Sequence, residues 1–94
     1  MKTYEIMYVV DNAVSDEAKE AVQAKFENLI KAQGGNVVSV DKMGAKKLAY
    51  PIDHKTEGYY VVITYEGDGS FNRELDRVVS LTSEVIRRKI MTKE

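Results

Sequence analysis

Residues 59–65 read YYVVITY, seven residues with no charge and with apolar side chains at both parities. A strand with one solvated face alternates apolar and polar residues. One that is apolar on both sides belongs in the interior of a sheet rather than at its rim. The set Tyr59, Val61, Ile63 and Tyr65 is the more apolar, but Tyr60 and Val62 compete with it for the core. Periodicity alone leaves that choice open.

Working outward, a polar loop, Asp53-His54-Lys55-Thr56-Glu57-Gly58, precedes this strand, and before it comes a long extended stretch over residues 36–50. Val38 and Val40 share parity with Leu48, Tyr50 and Ile52 there, and Met43-Gly44 interrupts the run, as a glycine does at a bulge or bend. On the other side Gly67-Asp68-Gly69-Ser70 turns the chain, with Ser70 expected to cap a helix whose apolar stripe is Phe71, Leu75, Val78 and Val79. A last strand holds Val85, Ile86, Ile90 and Met91 around Arg87-Arg88-Lys89. At the start of the chain Tyr4, Ile6, Tyr8 and Val10 alternate with Glu5, Met7 and Val9, which reads as a first strand. Ser15, Asp16 and Glu17 then open a helix striped by Ala18, Val22, Phe26, Leu29 and Ile30, which Gly34-Gly35 closes.

The order is therefore β-α-β-β-α-β. Right-handed crossovers in each half and a central hairpin give a four-stranded antiparallel sheet, order 4-1-3-2, with both helices on one face. This is the α+β, ferredoxin-like arrangement, and residues 1–94 form a single domain of it. Strands one and three are central; the two basic strands, two and four, are edges.

Fourteen basic against fifteen acidic residues leave a net charge of −1, which by itself argues against a nucleic-acid partner. The distribution says otherwise. Asp16, Glu17, Glu20 and Glu27 share one early segment, Lys42, Lys46, Lys47 and Lys55 cluster in the middle, and Arg87, Arg88, Lys89 and Lys93 form a second basic cluster. The absence of cysteine excludes disulfides, thiolate metal sites and cysteine nucleophiles. The opening segment lacks the pattern of a signal peptide and no run is long enough to span a bilayer, so a soluble cytoplasmic domain is expected.

Catalysis, cofactors and a metal site are not expected. His54 has no second histidine or cysteine to join it, and Ser39, Ser80 and Ser83 have no base near them in sequence. Glu17, Glu20 and Glu27 read as a solvated helix face, and Gly67–Ser70 lacks a phosphate-loop pattern and carries Asp68, which repels anions. Acylphosphatase, an enzyme of this architecture, uses an arginine after strand one, where this chain has Asp11-Asn12-Ala13-Val14. The RNA-recognition motif shares the topology and stacks bases on strand aromatics. Here Glu57-Gly58-Tyr59-Tyr60-Val61 departs from its signature, so RNA contact, if made, is expected through phosphates rather than stacking.

Lysine and proline on an edge strand commonly prevent stray pairing. That accounts for Pro51 and one lysine, but not for adjacent Lys46 and Lys47, which must face opposite ways. A patch assembled from these, Arg87–Lys89 and Lys2 suits phosphates, whose neutralisation releases counterions. Leu48, Tyr50, Pro51 and Ile52 add an apolar lip on the same edge.

The segments Lys2-Thr3-Tyr4-Glu5-Ile6, Gly44-Ala45-Lys46-Lys47-Leu48-Ala49-Tyr50-Pro51-Ile52 and Val85-Ile86-Arg87-Arg88-Lys89-Ile90-Met91 resemble the family of protein six of the bacterial small ribosomal subunit. The resemblance runs nearly the whole length. It implies a ferredoxin-like fold and binding to the central domain of small-subunit ribosomal RNA as a pair with small-subunit protein eighteen, in the cytoplasmic ribosome. Carried over by position, Lys2, Lys46, Lys47, Arg87 and Lys89 are expected near RNA phosphates, and Leu48, Tyr50 and Pro51 on the partner-facing edge. Where the family usually has arginine this chain has Lys2, Lys46 and Lys47, point charges that favour phosphate contact over base reading. The isolated chain is expected to be a monomer. The alternative is a regulatory or ligand-sensing homodimer on the same fold.

Overall fold

Period-two alternation in β1 (Lys2–Asp11) puts every second side chain under the helices, and this sets the order of the molecule. The computed structural model describes residues 2–52 and 55–93; His54 and the side chains of residues 48–52, 55 and 56 lie outside the described residues. After β1 come α1 (Asp16–Ala32), β2 (Asn36–Ile52), β3 (Lys55–Gly67), α2 (Asn72–Leu81) and β4 (Val85–Thr92). The sheet runs β2-β3-β1-β4, which is the expected order read from the other edge. β1 pairs with β3 without a break from Lys2↔Gly67 to Asp11↔Gly58, so the two central strands share one register along their length.

The parity question in YYVVITY is answered by that register. Ile6 lies opposite Ile63 and Tyr4 opposite Tyr65, and both pairs are buried in one cluster with Tyr8, Val10 and Val61. Val22, Phe26 and Ile30 of α1 and Leu75 and Val79 of α2 enter the same cluster, so both helices cover one face. Aromatic contacts tie the layers together: Tyr8 meets Phe26 edge-on at 5.0 Å, and Tyr65 stacks on Tyr4 at 5.7 Å. Burial pushes the Tyr8 and Tyr65 hydroxyls well above the usual phenol range. Tyr65 donates to Asn72 Oδ1 at 2.8 Å, whereas the buried Tyr8 oxygen finds no partner among the described residues.

The ends of α1 follow from its sequence. Ser15 Oγ accepts from the Ala18 amide at 3.2 Å, and Asp16 and Glu17 stand at the positive end of the helix dipole. The Gly35 amide reaches back to Ile30 O at 2.9 Å once Gly34 takes a φ of 84°, the left-handed turn that glycine adopts without a Cβ penalty.

Two expectations are corrected. Ser70 does not cap α2. The Asp68 carboxylate accepts from both the Ser70 amide and its hydroxyl, at 2.9 and 2.7 Å, and so takes the serine into its own turn. Phe71 occupies the cap position with no side-chain cap bond. Val38 does not join Val40 on the core side. The β2–β3 register shifts between Val37 and Ser39, so Val37 and Val40 pack against the core while Val38 is 54% exposed. One extra residue at a bulge reverses parity. The second interruption falls where glycine predicted it, between Lys42 and Gly44, with Gly44 at φ 86°.

Candidate nucleic-acid interface

The sheet face away from the helices carries the cations. Opposite Tyr60 of β3 lie Val9 of β1 on one side and Gly44 of β2 on the other, and Val9 in turn lies opposite Arg87 of β4. The neighbouring row pairs Met7 with Val62 and with Lys89. Lys46, two residues beyond Gly44, shares this parity, and its ammonium stands 6.0 Å from the Tyr60 ring centroid. The result is a shallow groove of about 310 Å³ lined by Met7, Val9, Tyr60 and the Arg87–Lys89 segment. Three strand spacings, roughly 14 Å, separate the β2 and β4 cations across it. Val9 is buried at 1% exposure and forms an apolar floor.

Not every candidate residue reaches this face. Lys46, Arg87 and Lys89 do, and all three are exposed. Lys47 lies opposite Glu57 and takes the parity of the helix-covered side. Lys2 lies opposite Gly67, nine residues along β1 from Asp11, or roughly 30 Å from the Lys46 end of the sheet. Arg88, between two open-face cations, turns the other way and donates to Asp76 of α2 at 2.8 Å. Leu48, Tyr50 and Pro51 belong to β2 by backbone, but their side chains lie outside the described residues.

Acids also stand along the open face. Glu5 lies beside Thr64 and meets Lys93 at 3.8 Å, and Glu66 accepts from Asn36 at 3.3 Å. Asp41 lies opposite Val62, and Asp11, opposite Gly58, stands in the same cross-strand row as Lys46. Lys46, Arg87 and Lys89 thus outnumber Asp11 and Asp41 at this end of the face, which leaves it net positive.

Other possible sites are already occupied by their own interactions. A cavity of about 230 Å³ beside α1 is lined by both signs of charge, and Lys19 there bonds Asn12 at 3.4 Å and lies 4.7 Å from the Tyr59 ring. In the turn before α2, the Ser70 bonds hold the Asp68 carboxyl below the usual carboxylate range, so it stays anionic where a phosphate would have to sit. Among the described residues no group of three or more His, Cys, Asp or Glu is placed to hold a metal, and no helix is long and apolar enough to cross a membrane.

Tyr60, whose side periodicity left open, is the β3 aromatic that the register turns to this face. The signal was its pair of glycines, Gly58 on the same strand face and Gly44 across the β2 pairing, which leave the ring without bulky neighbours on those sides. Without a register, that clearing is invisible.

Fold and surface together define a ferredoxin-like domain that offers a cationic, partly aromatic sheet face. Comparison with known proteins then gives the family. The family model described as Ribosomal protein S6 matches residues 3–92. The chain is 40% identical over 91 residues to small ribosomal subunit protein bS6 of Caldanaerobacter subterraneus subsp. tengcongensis, covering 97% of this chain and 96% of that one. It is 37% identical over 94 residues to the protein of the same name from Clostridium novyi, covering 100% of this chain and 99% of the relative. The crystal structure of 30S ribosomal protein S6 from Thermotoga maritima matches with a TM-score of 0.93 at 30% identity, over 98% of this chain and 87% of the other. The chain belongs to the ribosomal protein S6 family, whose members are non-enzymatic structural components of the small ribosomal subunit.

Proposed function

We propose that this chain binds the central domain of small-subunit ribosomal RNA through phosphate contacts, paired with small-subunit protein eighteen, and so aids subunit assembly. The observation that carries the reading is the meeting of Lys46, Arg87 and Lys89 on one open sheet face, from two edge strands far apart in sequence. Cations that replace condensed counterions on a phosphate chain gain affinity from counterion release, and a net charge of −1 does not prevent this when charge is segregated. Lys47 and Lys2, at the rim and the far end, reach phosphates of a strand that wraps around the sheet. The choice of RNA domain and of partner rests on the family resemblance, as does the role of Leu48, Tyr50 and Pro51 on the partner-facing edge. In this reading the isolated chain is a monomer, and sedimentation as a tight dimer at low concentration would favour the regulatory alternative.

The test is a salt titration of binding to central-domain RNA with the partner protein present. Replacing Lys46 and Lys47 together by alanine is expected to weaken binding across sequences. It should also lower the slope of log affinity against log salt by about one for each phosphate left without its lysine. An unchanged affinity and slope would sink the phosphate reading.

A further inference from the structure

We propose that Tyr60 is a stacking platform for one unpaired RNA base, with Lys46 and the Arg87–Lys89 strand placed to take the phosphates on either side of it. The inference rests on the RNA-binding reading above and replaces its phosphate-only form at this one position. A stacking site needs an accessible π-face, room above it and cations within reach of the attached backbone. Tyr60 is partly exposed on the open face, and its β2 neighbour in register is Gly44. A Cβ built on Gly44 would meet nothing within 4 Å, so the space on that side is open. Gly58, two residues back on the same strand, likewise sets no side chain beside the ring. Neither glycine therefore sets a side chain against the ring.

The surroundings fit a base and its sugar-phosphate links. Val9 supplies an apolar floor next to the ring, and Met7 extends it. Lys46 stands 6.0 Å from the ring centroid on the β2 side, while Arg87 lies beyond Val9 on the β4 side. At 6.0 Å, the outer limit of a cation–π contact, the ring attracts the ammonium only weakly, so it can swing to a phosphate arriving with the base. A duplex cannot use this site, because its bases are stacked on one another and its phosphates alone reach the cations. The platform therefore selects single-stranded over double-stranded RNA without reading sequence, since every base has a π-face.

The probes are a single-stranded RNA oligonucleotide and an RNA duplex of the same length, each titrated with the full chain at low salt. Tyr60→Leu keeps an apolar side chain but no ring, and is expected to weaken single-strand binding by about 5- to 100-fold while duplex binding and both salt slopes hold. Tyr60→Phe is expected to retain single-strand affinity. Independently of any variant, a 2-aminopurine in the single strand should lose fluorescence saturably as the wild-type chain binds. If Tyr60→Leu leaves single-strand affinity unchanged, lowers both affinities alike, or the fluorescent base does not respond, the stacking proposal is overturned and the phosphate reading stands. If the wild-type chain binds neither RNA, both readings fall together.

Discussion

The two faces of this one sheet do opposite things with the same strands. Under the helices, β1 and β3 place Tyr4, Ile6, Tyr8, Val61, Ile63 and Tyr65 in a closed core. On the other side, the intervening residues Met7, Val9, Tyr60 and Val62 lie between cations from β2 and β4. Neighbouring residues thus belong to different parts of the molecule's physics, stability on one side and contact on the other. A substitution is predicted by its parity more than by its residue type.

The widest separation is expected at Ile63 and Val62. Ile63 is wholly buried, and Ile63→Ala should cost about 2–5 kcal/mol through lost transfer energy and the cavity left behind. In a domain whose whole stability is of order 5–15 kcal/mol, that is a large fraction. Val62→Ala, one position along on the open face, should cost about 1 kcal/mol or less, mostly from reduced strand preference. Urea denaturation midpoints at constant m-value measure both, and equal losses would break the division between faces.

A smaller but sharper pair is Arg88 and Lys89. Arg88→Ala removes an exposed ion pair with Asp76 and should cost less than about 1 kcal/mol, leaving the salt slope of RNA binding as it was. Lys89→Ala should leave stability within about 0.5 kcal/mol of wild type while reducing the slope by about one. If Arg88→Ala flattened the slope as much as Lys89→Ala, the cationic face would be wrongly drawn.

The smallest effect lies in the turn that joins β3 to α2. Ser70→Ala removes the hydroxyl that bonds Asp68, so the Asp68 carboxyl should titrate at higher pH, as NMR of its side chain would show. Because the folded-state value is depressed, the turn's contribution is present above the ordinary aspartate range and fades as pH falls through the lowered value. No movement on Ser70→Ala would mean that the amide bond alone holds the carboxylate.

Much of this was legible in the chain itself. Strong period-two alternation in residues 3–10 and helical spacing from Val22 to Ile30 are local signals, and the element order they spell leaves few topologies once crossovers must be right-handed. The segregated lysine and arginine clusters were legible too, as was the bend at Gly44. Ser70 and Val38 were misread because each depends on a competing local event. A nearby carboxylate captured the serine, and a bulge that no glycine or proline marks reversed the valine.

What only the tertiary structure decided is which residues stand side by side across strands. Register between β2 and β3, and between β1 and β4, is set by burying one face as a whole, and no single segment carries that information. It decides that Lys46 rather than Lys47, and Arg87 and Lys89 rather than Arg88, take the open face, and it leaves Lys2 at the far end of the sheet. The same register assigns Tyr59, Val61, Ile63 and Tyr65 to the core and so turns Tyr60 outward, opposite a glycine and between two basic edges. In YYVVITY the sequence determined a central strand; the sheet around it decided which tyrosine packs and which one faces a partner.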